Sequence, residues 1–162
     1  MLGVVCALTG QYIAYRLNMR VKLLEKLQVM LCIIESEIRY LCRPGDEIIS
    51  ELAENKDLNG LTFLKSCDSL MKGGTDFKNA WEISVSDRNN VRYLEKDDVT
   101  MLRSFGGLFG VSDSTGQISN CQLHSELLKS KLNDAREKRD RYASLSCGLG
   151  LMAGIGVIII FI

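Results

Sequence analysis

Proline, histidine and tryptophan each occur once in this 162-residue chain, and each scarcity narrows what it can be. A single proline, Pro44, leaves long helices almost uninterrupted, because proline removes a backbone donor and clashes with the preceding turn. A single histidine, His124, provides no imidazole pair for acid–base chemistry and no multi-histidine metal site within one chain. It reads as a helix-surface or satisfied histidine. Neither sign of charge dominates: twenty lysines and arginines balance twenty aspartates and glutamates, so no global basic field draws nucleic acid. The six cysteines (Cys6, Cys32, Cys42, Cys67, Cys121 and Cys147) include no C-x-x-C pair and read as free thiols in a reducing compartment. No Ser/His/Asp or Cys/His arrangement stands in a recognisable context. Catalysis, a cofactor, a metal and a small-molecule substrate are therefore not expected.

Apolar residues, by contrast, gather at both ends. Leu145 to Ile162 is eighteen residues without a formal charge, about 27 Å of helix, and Arg136, Lys138, Arg139 and Arg141 precede it. Met1 to Tyr15 is also uncharged, and Arg16, Arg20, Lys22 and Lys26 follow it. A cleaved secretion signal carries its positive charge ahead of the apolar core, not behind it. Basic flanks mark the cytoplasmic side of a span. The pattern thus predicts an N-terminal membrane span over 1–15, a cytoplasmic helical domain over 16–144 and a C-terminal span over 145–162, with both termini outside. The first span is short, about 22 Å, and must thin the bilayer. Gly3, Ala7, Gly10 and Ala14 form a small-residue stripe in it, matched by Cys147, Gly150 and Gly154 in the second, so the two can pack closely.

Between the ends, the spacing predicts an all-α bundle of about six helices. Leu17, Val21, Leu24, Leu27, Leu31, Ile34, Ile38 and Leu41 recur three or four apart, as one face of a continuous rod requires. Arg43-Pro44-Gly45-Asp46 breaks that rod. Shorter helices follow, around Ile48 to Asn55, Leu58 to Met71 (stopped by Gly73-Gly74) and from Thr75 as N-cap through Trp81, which reads as core. A fifth starts near Asp97-Asp98, whose carboxylates suit a helix start. Its end, Phe105-Gly106-Gly107-Leu108-Phe109-Gly110, lacks the preceding strand and the lysine of a phosphate loop. Close packing at Gly106 and a C-cap at Gly110 account for it better, with Ser112 or Asp113 capping the next helix. Ile118, Cys121, Leu128, Leu132, Ala135 and Tyr142 then form a last seam. The first and last helices are expected to be long, antiparallel and continuous with the terminal spans, unless such long helices instead form coiled coils between chains.

The order of short apolar start, arginine-rich helix, proline turn, Ala80-Trp81, Phe105-Gly106 with Gly110 and Asp113, Gln117 and apolar end resembles the stage III sporulation protein AB family over essentially the whole chain. Phe-Gly-x-x-x-Gly-x-x-Asp, Phe105 to Asp113, is the most specific part. The sequence departs from the family at two positions: Gly45 follows Pro44 where a leucine is expected, and Phe109 stands where leucine is usual. That family is similar to the cytoplasmic domain of the type II secretion F protein, an all-helical platform. The resemblance implies a membrane component of a channel complex between mother cell and forespore, in the mother-cell membrane around the forespore, docking partners that include a secretion-type ATPase.

Read this way, the chain is a non-enzymatic interaction protein whose partner surface consists of Glu35, Arg39, Asp113 and Gln117. Its partners are membrane lipid, other channel proteins and, in one variant, a second copy of itself. Lys129 to Arg141 favours anionic headgroups over RNA, because Asp134, Glu137 and Asp140 interrupt it. A rival reading makes the chain a membrane-anchored subunit of an enzyme or signalling complex, with the chemistry supplied by another chain.

Overall fold

Apolar residues spaced three and four apart along the first quarter of the chain do form one long helix, α1 (Leu2–Ser36), which passes into a π-helical turn over Glu37–Leu41. Four short helices follow: α2 (Gly45–Glu54), α3 (Thr62–Lys72), α4 (Phe77–Ser86) and α5 (Lys96–Leu108), with a 3₁₀ turn at Lys56–Leu58 between the first two. α6 (Ser114–Phe161) closes the chain. A computed structural model describes residues 2–41, 43–109 and 113–161, with side chains described over 9–41, 43–109 and 113–144. No strand occurs among the described residues.

α1 and α6 form the most extensive pairing in the molecule. They run antiparallel: Glu35 meets Gln122 while Glu25 meets Arg136, so the numbers descend on one helix as they rise on the other. Val21, Leu24, Leu27, Leu31, Ile34 and Ile38 are buried along α1 and its π turn, in one core with Cys121, Leu128, Leu132 and Ala135 of α6. Burying a leucine or isoleucine fully contributes on the order of 1.5–3 kcal/mol, so this seam is a principal source of stability. Both ends of the expected α1 stripe deviate. Leu17 is only half-buried, and Leu41 is 55% exposed. The cause at Leu41 is the π turn, which inserts one residue into the helical count and rotates the end of the helix off the seam. Tyr40 swings out with it and is 77% exposed.

Short-range signals set the helix ends. α3 stops in a Schellman motif: Thr75 N donates to Leu70 O at 3.0 Å, Gly74 N donates to Met71 O at 2.9 Å, and Gly74 sits at φ +92°, where glycine is favoured. Because Thr75 closes α3 in this way, the N-cap of α4 falls one residue later than expected, on Asp76, whose side chain accepts from Asn79 N at 3.1 Å. That backbone bond, and then the Asn79 side chain, hold the Asp76 carboxyl below its ordinary pKa. Asp113 caps α6, its Oδ1 accepting from Gly116 N at 3.0 Å. Gly110 and Ser112, the other expected caps, lie outside the described residues.

Two residues noted as unusual in the sequence meet in space. A Cβ built on Gly45 would lie 2.8 Å from Phe109 Cε1, so the bulky ring at 109 occupies the room that a side chain at 45 would need. Phe109 is buried beside Phe77 and Phe105, with ring centroids 5.2 and 5.5 Å away. We predict that Gly45→Leu destabilises the fold by about 1–3 kcal/mol, the usual range for overpacking, and that adding Phe109→Leu recovers most of the loss. Urea denaturation of the two single variants and the double variant checks the coupling. Simple additivity would refute it.

The expected terminal spans do not stand. Among the described residues no helix is long and apolar enough to cross a membrane. As expected, each apolar end continues into a long helix, and the described part of that helix is heavily charged, carrying Arg16, Arg20, Lys22 and Glu25 in α1 and Arg136 to Arg141 in α6. The fold is accordingly an all-α bundle organised on the α1–α6 pair, without the two-span hairpin. Of the expected packing stripe, the side chains at Gly3, Ala7, Gly150 and Gly154 lie outside the described residues. Ala14 is half-buried, and a Cβ on Gly10 would meet nothing within 4 Å among the described residues.

Candidate functional site

Glu35 is the hub of the exposed α1–α6 surface. Its Oε1 accepts from Arg39, four residues on in the π turn, at 2.5 Å and from Gln122 Nε2 across on α6 at 2.9 Å. The Gln122 hydrogen bond first, and then Arg39, hold the Glu35 carboxyl below its ordinary pKa against a small opposing effect of burial. An i,i+4 pair alone contributes only about 0.2–0.5 kcal/mol. What the third residue adds is a link between two helices. A cleft of about 440 Å³ runs from this latch beside Gln28, Val29, Cys32 and Ser125.

Helix geometry places the other two expected partner residues toward the same end of the pair. Gln117 lies five residues before Gln122 on α6, about 7.5 Å toward the tip at ~1.5 Å per residue, and Arg39 lies about 6 Å past Glu35 in the same direction. Gln117 is half-buried. Asp113 is exposed at the tip itself, with one carboxylate oxygen committed to capping α6. Tyr40 and Leu41 project at this end too, from the π turn. Nothing in the sequence singled them out, because the spacing rule assigns Leu41 to the core.

A second polar group was missed outright. Arg20, expected only as part of a basic flank, is 5% exposed. Its Nε and a terminal nitrogen donate to the two oxygens of Asp98 at 2.8 and 3.0 Å, and its other terminal nitrogen donates to Glu95 at 2.6 Å. Asp98 has no exposed surface, accepts also from Glu95 N at 2.9 Å, and has Lys131 Nζ 3.7 Å away. Burial alone would lower the Arg20 pKa. The Asp98 hydrogen bonds and charge, helped by Glu95 and Asp134, leave it above the ordinary value instead. The cluster ties α1, α5 and α6 together. A forked guanidinium on a carboxylate fixes geometry as well as charge.

Beneath it lies an aromatic core. Trp81 is buried, donates from Nε1 to Leu102 O at 2.8 Å, and packs against Phe63, Phe77 and Phe105. Gly106 lies against the Trp81 ring so closely that an added Cβ would overlap Cδ1 and Nε1. His124 is buried edge-on to Phe105, with Nδ1 2.9 Å from Asn120 O. Cys67 and Cys121 are buried free thiols pushed up to about 12, chiefly by desolvation, so neither serves as a nucleophile. Cys32 is free and exposed. Among the described residues no group of three or more His, Cys, Asp or Glu is placed to hold a metal ion.

The profile of the family described as stage III sporulation protein AB matches residues 1–162. The chain belongs to this family. Stage III sporulation protein AB of Bacillus subtilis (strain 168) is 26% identical over 156 residues, which cover 94% of this chain and 90% of that relative. A solved structure of a stage III sporulation protein AB aligns with a TM-score of 0.59 at 25% identity, covering 76% of this chain and 98% of that one. The resemblance read from the proline turn, Ala80-Trp81 and Phe105 to Asp113 thus gives the right family, and the chain is a sporulation protein. Within the family frame, Phe105-Gly106 has a physical meaning: the phenylalanine fills the core, and the glycine admits the tryptophan.

Proposed function

We propose that this family member is a non-enzymatic platform component of a sporulation channel complex, which docks protein partners such as a secretion-type ATPase at the tip of the α1–α6 pair. The surface comprises Glu35, Arg39, Gln117 and Asp113, as expected from the sequence, together with Gln122, Tyr40 and Leu41. One observation carries the reading: two large apolar side chains stand exposed on a π turn beside a polar latch that bridges two helices. π turns inside helices are frequent at functional sites, and tyrosine is among the residues enriched at binding hot spots.

The test exchanges the latch charges. In the double variant Glu35→Arg, Arg39→Glu, an i,i+4 pair remains and stability should change by less than about 0.5 kcal/mol, while the surface presented to a partner is inverted. Co-purification with the channel's ATPase from sporulating cells should fall about tenfold or more, and Tyr40→Ala should do the same. Retention of the ATPase by both variants would remove this surface from consideration.

A further inference from the structure

At the opposite end of α1 lies a cleft of about 680 Å³ walled by α1, the end of α4, the loop after it and the start of α5. Five cations converge on it: Arg16, Arg88, Arg92, Lys96 and Arg103. No aspartate or glutamate is among its described lining residues. Arg103 is engaged, lying 3.1 Å from Glu82 and donating to Ser86 at 2.8 Å. Arg16, Arg88, Arg92 and Lys96 have no ion pair among the described residues, and Arg92 rests 5.6 Å over the Tyr93 ring. Glu95, next to Lys96 in the chain, is engaged by Arg20 and Lys138 and lines an adjoining pocket that shares Tyr12, Arg16 and Tyr93 with the cleft. Like charges gathered in a concave site repel one another and concentrate the field on whatever anion enters.

The geometry points to a binding site for a phosphate-headed ligand in this cleft. Three arginines without a described ion pair favour phosphate, because a planar guanidinium fork fits two of its oxygens at once. The floor adds a second requirement. Val85 and Val91 are buried, Val99 is partly so, and Tyr12 offers an apolar ring with a polar tip. A volume of this size, with an apolar floor beneath a cationic rim, suits a phosphate that carries an organic body better than a bare ion. Two sources share this chemistry, the phosphodiester headgroup of an anionic phospholipid and free phosphate. The volume of about 680 Å³, more than a bare phosphate fills, favours the headgroup.

Titration calorimetry on the full-length chain in nonionic detergent tests the site, with glycerophosphoglycerol as the headgroup probe and inorganic phosphate as the free one. The expected result is binding of glycerophosphoglycerol that weakens about tenfold or more in Arg88→Gln, Arg92→Gln, both exposed and outside the core. The charge-matched control Lys56→Gln, Lys65→Gln, exposed positions outside the cleft, should change it less than about twofold. Headgroup binding tighter than phosphate assigns the site to lipid, and phosphate binding as tightly or more tightly assigns it to the free ion. Both outcomes support the site. It is overturned if neither probe binds, if the two double variants weaken binding equally, or if an acidic glutamate peptide binds better than either probe.

Discussion

Gly106→Ala is expected to destabilise the protein by about 2 kcal/mol or more, although alanine is the better helix former by about 1 kcal/mol. The steric effect decides the sign. The new methyl would overlap the Trp81 ring, which is 1% exposed and fixed by Phe63, Phe77 and Phe105, so the ring has no empty space into which to turn. Forcing it aside costs the typical 1–3 kcal/mol of overpacking and strains the Trp81 bond to Leu102 O, worth about 1 kcal/mol more. The neighbouring glycine provides an internal control. A Cβ on Gly107 meets nothing within 4 Å, so Gly107→Ala should stabilise the same helix by up to about 1 kcal/mol. Urea denaturation followed by Trp81 fluorescence measures both. If the two glycines respond with the same sign, the proposed role of Gly106 is wrong.

Asp98→Ala should cost more, about 3–5 kcal/mol, because it leaves the Arg20 guanidinium buried beside an empty position. Glu95 holds one arm of Arg20 but is itself 46% exposed, so it compensates only in part. The double variant Arg20→Met, Asp98→Leu removes both charges and should lie near the wild type, since a buried ion pair is often no more stabilising than apolar side chains of similar size. Urea denaturation of the single and double variants measures the difference. A loss below about 1 kcal/mol for Asp98→Ala would mean that Arg20 escapes to solvent or to Glu95, and that the cluster does not fasten the three helices.

These two sites also mark what could be read from the chain and what could not. The seam from Val21 to Ile38, Trp81 as core and the tight fit at Gly106 follow from local spacing and residue type, and all three stand in the structure. Arg20 did not, because its burial depends on a carboxylate 78 residues away, and no local pattern separates a flank arginine from a buried one. The same holds on the surface. The Glu35–Arg39 pair is visible as a one-turn spacing, but Gln122, 87 residues from Glu35, is not. The misplaced Leu41 has another origin, a change of helical period that periodicity presumes absent. The terminal spans failed on a different count: each apolar end does continue a long helix, as expected, but among the described residues no helix is long and apolar enough to cross a membrane.

The pairing of α1 with α6 also bears on biosynthesis. Glu25 and Arg136 are 111 residues apart, so the longest seam joins segments made early and late in translation. While the ribosome is still extending the chain, Val21 to Ile38 has no α6 to cover it, whereas α2 to α5 already have neighbours near in sequence. An arrested nascent chain that stops before Ser114 should therefore hold a greasy, chaperone-binding stripe on α1, and release of the last third should extinguish it.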